Sequence, residues 1–263
     1  GLVSYAGPSL NVLTPADGLA GNTINDISVA SDGRIYVATN NGISVSNGNS
    51  WQNDITGGEI RKIAASGDGR FWYSTSHNSV IEYYAENTTP VSGDYSFSNG
   101  VTGIYIDRSQ NVWISCNGNL VELCANGKTK SFADIFRGKI VYEVYQRFNG
   151  DLLAATSTGI MSYDYNTWTA LNGIETGVAT VCEDYAQNII YGNLNGIYRY
   201  DGTSSSLLNG SFSTGVLMVS GQNDKKIWAN DAQNGIAVLD FDGNTETLHT
   251  NRTLINHTPN FIW

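Results

Sequence analysis

The side chains that most often carry chemistry are few in this chain and stand apart. Among its 263 residues are 3 histidines, His77, His249 and His257, and no two of them have the spacing of a metal-binding pair. Strings that mark a nucleophile elbow, a zinc protease or a phosphate loop are missing. Asp32 and Asp68 sit in Asp-Gly turns and lack the run of alternating carboxylates that calcium requires. Glu183-Asp184 reads as a channel-lining or solvated pair, not as an acid and its base. We therefore expect no catalytic residue, no metal and no cofactor. His77 alone keeps an enzymatic alternative open, because it falls in a polar connection with no second copy of its type.

What does recur is a set of short polar connections: Asn40-Asn41, His77-Asn78, Asn117-Gly118, Ser157-Thr158, Asn193 to Asn195 and Asp231 to Asn234. Loops held on a rigid scaffold are where recognition concentrates, and amides with hydroxyls match the dense hydrogen-bonding pattern of a sugar. Tyr95, Phe132, Phe136, Trp168 and Phe212 lie on nearby connections and could stack on a ring face. The ligand-binding expectation is thus Asn40, Asn41, His77, Asn78, Asn117, Ser157, Asn193, Asn195 and Asp231, with Phe136 and Trp168 as aromatic contacts.

Composition limits the partners. With 14 Lys and Arg against 24 Asp and Glu, the formal net charge is -10, so clustered cations for a nucleic-acid backbone are lacking. No apolar run approaches the ~18 residues of a membrane helix, and the segment carries neither a signal peptide nor an initiator Met, as expected of a mature or excised piece. Cys116, Cys124 and Cys182 are odd in number and lack metal-ligand spacing. In the hairpin assigned below, Cys116 and Cys124 stand about four residues out of register, roughly 13 Å, too far for a disulfide. They read as free thiols. The Asn-X-Ser/Thr triplets at Asn87, Asn209, Asn251 and Asn256 follow from an Asn- and Thr-rich composition.

The elements that position these connections come from internal self-similarity. INDISVASDGRIYVATNNGI, VYEVYQRFNGDLLAATSTGI and VATVCEDYAQNIIYGNLNGI align without gaps. Each has an apolar pair three apart (Ile24 and Ile27, Val141 and Val144, Val178 and Val181), a turn, an apolar residue nine further on, and then Gly-Ile. Three looser copies are anchored at Ile60 and Ile63, Val101 and Ile104, and Val216 and Val219. Short strands repeating roughly every 40 residues are the mark of a β-propeller, whose blades are four-stranded antiparallel sheets. Inner strands such as IYVAT and LLAAT are apolar on both faces, as strands covered by neighbours on both sides must be.

The best copy, with Asp17-Gly18-Leu19, Ile27, Asp32-Gly33, Ile35-Tyr36, Ala38-Thr39 and Gly42-Ile43 in the corresponding slots, resembles the two-component regulator propeller repeat. Thr39, Thr75 and Thr156 keep that repeat's Thr, while Cys116, Asn193 and Asp231 replace it. The resemblance implies the periplasmic sensor region of hybrid two-component regulators of gut Bacteroidetes, where such propellers help detect glycan fragments. It also implies flanking receptor domains and a periplasmic or cell-surface location.

At the two ends, GLVSYAG at 1–7 aligns with the third-strand motifs GIMSYDY and GIYRYDG, with a fourth strand through Leu10 to Leu13, and Leu254 to Trp263 has first- and second-strand spacing. The expectation is one all-β domain over 1–263: a seven-bladed propeller with six full blades between about 22 and 248. A composite last blade, residues 1–13 plus 249–263, would close it and hide both sheet edges. The expected function is a non-catalytic extracytoplasmic sensor for a carbohydrate or similar polar solute. The expected partners are an oligosaccharide or small polar ligand, flanking receptor domains and a second copy in a homodimer. The alternatives are a structural or adhesive protein-binding propeller, and a polysaccharide lyase.

Overall fold

Apolar strands of five or six residues, cut by Asp- and Gly-bearing turns, fold in the computed structural model into antiparallel meanders. The structure describes residues 1–6, 9–76, 79–84, 87–96, 100–174, 176–211, 216–221, 226–231, 235–240 and 242–249. Among these are six four-stranded sheets, over 24–56, 60–96, 101–131, 141–170, 180–209 and 216–249, and one two-stranded hairpin, Leu2–Ala6 with Ser9–Leu13. They are called sheets one to six in chain order. Two compact units result, Gly1–Ser131 and Phe132–Trp263.

In the first unit, the first strand of sheet two, Ile60–Ala65, packs against the first strands of both sheet one, Ile24–Val29, and sheet three, Val101–Ile106. The second strand of sheet two shows why both its faces are apolar. Phe71 and Tyr73 join Tyr36, Ile43 and Val45 of sheet one, whereas Trp72, from the opposite face, joins Val112, Ile114 and Val121 of sheet three. Alternate residues thus feed two different cores. The second unit repeats the arrangement about sheet five. Ile189 and Tyr191 meet Leu153, Ala155 and Ile160 of sheet four, while Ile190 and Ile197 meet Ile227, Ala229 and Leu239 of sheet six.

The apolar pair three apart has a specific cause. In sheet one the register runs Ile24 to Thr39 and then Asp26 to Ala38, so Asn25 is an extra residue. Arg61, Thr102, Tyr142 and Leu217 are the equivalent extra residues of four other first strands. A bulge adds one residue to a period of two, so residues three apart return to one face. Ile60 and Ile63 are accordingly both buried, as are Val141 and Val144.

The turn after the first strand is built in two chemical versions. In sheet one, Gly33 takes a φ of 86° and its N–H donates to Ala30 O, while the Asp32 carboxylate accepts from Arg34 N and Arg34 Nε. In sheets three and five, Gln110 and Gln187 hold that left-handed position with φ of 64° and 65°. There Asp107 and Asp184 stand where sheet one has Ala30. Asp107 is 1% exposed and accepts from Ser109 N, Asn111 N, Asn111 Nδ2 and Trp113 Nε1. A wrapped carboxylate there substitutes for glycine's freedom.

The Gly-Ile pair closes the hairpin between second and third strands. Gly42, Gly159 and Gly196 have φ of 125°, 131° and 138°, and a Cβ on any of them would strike the carbonyl of Ile55, Ile174 or Asn209 on the fourth strand or just beyond it. The preceding Thr locks the same hairpin: Thr39 Oγ1 donates to Gly42 O at 2.9 Å and accepts from Asn41 N at 3.1 Å. Thr156 repeats this with Gly159 O and Thr158 N. Where Asn193 replaces Thr, its Oδ1 accepts from Asn195 N at 2.8 Å.

Candidate functional site

In each unit the bulged starts of the first strands and the second-to-third-strand hairpins lie at one end of the sheets. In the first unit that end is occupied with its own closure. Asn40 Oδ1 accepts from Thr23 N at 3.1 Å and Asn41 Nδ2 donates to Ala20 O at 2.9 Å, so both amides tie the incoming segment to the hairpin. Asn25, the bulge residue, reaches sheet two by donating to Ile60 O at 2.7 Å. Asn117 is exposed at its hairpin tip. His77 and Asn78 lie outside the described residues.

The second unit brings more together. Ser157 is doubly paired with the segment entering sheet four, its N–H donating to Ile140 O and its Oγ accepting from Ile140 N. The segment entering sheet five then crosses this hairpin: Val178 N donates to Thr156 O and Ala179 N to Gly192 O. Thr176 Oγ1 receives Asn193 Nδ2 at 3.4 Å. Ser157, Thr158, Thr176, Asn193 and Asn195 therefore form one continuous polar run across sheets four and five. Asn193 itself is buried and works for the hairpin; Thr158, Thr176 and Asn195 are exposed.

Tyr142, the bulge residue of sheet four, is 42% exposed and follows Val141, whose partner Thr156 precedes Ser157. The bulge leaves it opposite no single partner, between Val141, which pairs Thr156, and Glu143, which pairs Ala155. Glu143 points onward, accepting from Val181 N of sheet five at 3.0 Å, and anchors the strand. Leu194, 80% exposed at its hairpin tip, completes the surface. Tyr142 was not singled out by the sequence reading. Its signal was its place between the apolar anchors, where sister copies carry Asn25, Arg61 and Thr102. The arrangement offers hydroxyls, an amide and a half-exposed ring, the requirements for binding a polar cyclic solute. Among the described residues no group of three metal-ligating side chains exists.

Two expectations about side chains need correction. Phe136 is 0% and Trp168 6% exposed, so neither presents a face to a ligand. Trp168 stacks on its cross-strand partner Tyr163 with centroids 4.7 Å apart, and Phe136 and Phe132 meet it edge-on at 5.1 and 6.0 Å. The short helix Ala133–Phe136 drives its last ring into that cluster. Glu183 and Asp184 are likewise buried, at 2% and 3% exposure, not solvated. Glu183 accepts from Arg147 Nε and Phe148 N, while Arg147 also donates to Gln187 O; Asp184 pairs with Arg199 at 3.2 Å. The side chain of Asp231, last residue of its strand, lies outside the described residues. Cys116, Cys124 and Cys182 are thiols and not halves of a disulfide, and burial pushes the Cys116 thiol up to about 12, far from a reactive thiolate.

A family model described as two component regulator propeller matches residues 18–41. No curated protein matches the chain. The chain is similar to the extracellular domain of the hybrid two-component system BT3049 from B. thetaiotaomicron, at 18% identity and a TM-score of 0.74, over 96% of this chain and 39% of that one. It is similar also to the extracellular domain assigned to the one-component system BT4673 from the same organism, at 15% identity and a TM-score of 0.72, over 87% of this chain and 33% of that one. A catalytically inactive histidine-to-alanine form of virginiamycin B lyase from Staphylococcus aureus, with quinupristin, matches at 13% identity and a TM-score of 0.70, over 87% and 84% of the two chains. The chain thus spans between 33% and 39% of the two extracellular domains. At these identities the likeness shows the fold: all-β, with the four-stranded antiparallel sheets of propellers.

Proposed function

We propose that this chain, whose residues 18–41 carry a two component regulator propeller repeat, is a non-catalytic sensor module that binds a carbohydrate or similar polar solute outside the cytoplasm. The observation that carries the reading is that half-exposed Tyr142 directly follows Val141, which pairs Thr156 next to Ser157, at the end of the sheets where Thr158, Thr176 and Asn195 are exposed. Stacking supplies orientation and hydroxyl-bearing groups supply specificity, which suits a ligand with one apolar and one hydrogen-bonding aspect. The likeness to two extracellular domains of regulatory systems supports an extracytoplasmic setting, and their greater length supports flanking domains that would relay the signal. The lyase likeness does not favour catalysis, since the polar run holds no proton-transfer pair.

The proposal includes closure. The hairpin Leu2–Ala6 with Ser9–Leu13 would give two strands of a seventh sheet; the other two are expected from 249–263, of which His249 ends the last strand of sheet six and 250–263 lie outside the described residues. A ring closed in this way buries the edges that an open array would leave for aggregation. The functional reading is tested by thermal denaturation against a panel of neutral and acidic oligosaccharides. A ligand at a hundred times its dissociation constant adds about 2.7 kcal/mol to the folded state, a clear rise in melting temperature. A panel that leaves the melt unmoved counts against the reading.

A further inference from the structure

The opposite end of the second unit, where first strands turn into second and third into fourth, exposes large side chains of a different kind. Phe148, Tyr185 and Tyr165 are 51%, 44% and 39% exposed. Phe148 and Tyr185 hold the same position in the turns of sheets four and five, one residue after Arg147 and Asp184, whose N–H groups close the two turns on Asp151 O and Asn188 O. Packed sheets lie about 10 Å apart, which sets the spacing of the two rings. In the first unit the same position carries Ser31, Gly67 and Arg108, so the aromatic version is confined to the second.

The turns that carry these rings are braced against each other. Arg147 bridges the two turns through Glu183 Oε1 at 2.7 Å and Gln187 O at 3.1 Å, and Phe148 N donates to Glu183 Oε2 at 2.6 Å. Gln146 Nε2 donates to both Gly150 O and Tyr165 Oη at 2.9 Å, which fixes Tyr165 to the turn that carries Phe148. Tyr165 adopts a φ of 66° where the matching turns of sheets one and five use Gly48 and Gly202. A bulky side chain therefore occupies a site that sister turns leave to glycine.

Charge decides what such a row fits. The two arginines beside it are committed to Glu183 and Asp184. Asp151, Asp164 and Asp201 sit in the surrounding turns, and among the described residues none has an ion pair to a cation. Backbone N–H groups of Thr167 and Asn166 hold Asp164 below the usual carboxylate range, so it stays charged. Electron-rich ring faces flanked by carboxylates attract guanidinium and ammonium groups by cation–π and Coulomb terms together. We propose that the row Tyr165, Phe148 and Tyr185 is a docking surface for an Arg- or Lys-rich segment of a partner protein, at the end of the sheets away from the solute site.

The test is fluorescence anisotropy with a labelled peptide of alternating Arg and Gly, beside a Gln-Gly control. Wild-type protein binds the basic peptide saturably and the control does not. Replacing Phe148→Leu and Tyr185→Leu together keeps apolar bulk and removes two ring faces, and weakens binding about tenfold; Tyr142→Ala leaves it unchanged. Phe148→Leu alone, expected to weaken binding by several-fold, serves where the double variant melts early. Absence of saturable binding overturns the proposal, as does equal binding of the control or undiminished binding by the leucine variants. Glycan protection that these variants abolish, without peptide binding, would transfer the surface to a saccharide. Peptide binding that survives Tyr142→Ala says nothing for or against the solute site, so the two readings fail separately.

Discussion

Asp107 shows how much one side chain can hold in place. Its carboxylate satisfies two backbone N–H groups, the Asn111 amide and the Trp113 indole in a site closed to water. Asp107→Ala leaves those donors unpaired, and we expect a loss of about 3 kcal/mol, read as a lower urea midpoint with unchanged slope. The exposed turn carboxylates act through pH instead. Asp32 lies below its ordinary range because of the Arg34 side chain, Asp201 because of Ser204 and Thr203 N–H, and Asp240 because of the Asn244 amide. A folded value below the unfolded one gives stability that is present above about pH 4 and is lost as pH falls through the folded value. Asp26, raised chiefly by burial, has the opposite sign: its contribution improves as pH falls through its folded value toward about pH 4. Urea midpoints taken downward from about pH 6 should therefore fall steeply only below about pH 4, and Asp26→Asn should leave that acid limb in place. Of these carboxylates Asp32 was legible as a turn residue, in its Asp-Gly pair. The burial of Asp184 and Glu183 was not: what covers them is Arg199 from the third strand and Arg147 from the preceding sheet, and no local pattern near residue 183 announces either.

At the level of elements, the spacing of Ile24 and Ile27, repeated along the chain, located the first strands of the six described four-stranded sheets without revealing the bulge present in five of them. The bulge is a property of pairing, visible only when Asp26 is seen opposite Ala38. That is why Tyr142 escaped notice: on strict alternation it is one more strand residue, and only the pairing shows it to be the extra residue of the ladder. The aromatic expectation failed for a related reason. Phe136 and Trp168 were placed on connections, whereas Trp168 is in a fourth strand paired with Tyr163, and aromatic area is most stabilised when it is packed. An ion pair, Arg147–Glu183, 22% and 1% exposed at the side chains, joins sheets four and five. Glu183→Ala strands a partly buried guanidinium and removes the acceptor of Phe148 N–H. We expect a cost of about 3 kcal/mol, and faster amide exchange in the turns at 147–151 and 184–188 than in sheet two.

For the whole molecule, six sheets follow the six sequence repeats, because each copy encodes its own strands, turns and hairpin lock. Closure is a proposal of a different order, since it depends on an expected half repeat at each end, the second of them over 250–263, outside the described residues. A closed ring of 263 residues has a radius of gyration of about 18 Å and unfolds in one cooperative transition; an open array is longer and unfolds in steps. Solution scattering read beside a denaturation curve separates them. Removal of residues 1–13 should cost the closed ring cooperativity throughout, not only at one end. The claim on which the account turns is that Tyr142 and its polar neighbours receive a solute. Isothermal titration of an oligosaccharide panel into wild type and Tyr142→Ala tests it most directly. The account predicts saturable binding of at least one saccharide, weakened about tenfold by loss of the ring, with the melting temperature of the unliganded variant unchanged. A saccharide that binds both proteins equally, or a panel in which none binds the wild type, would contradict it.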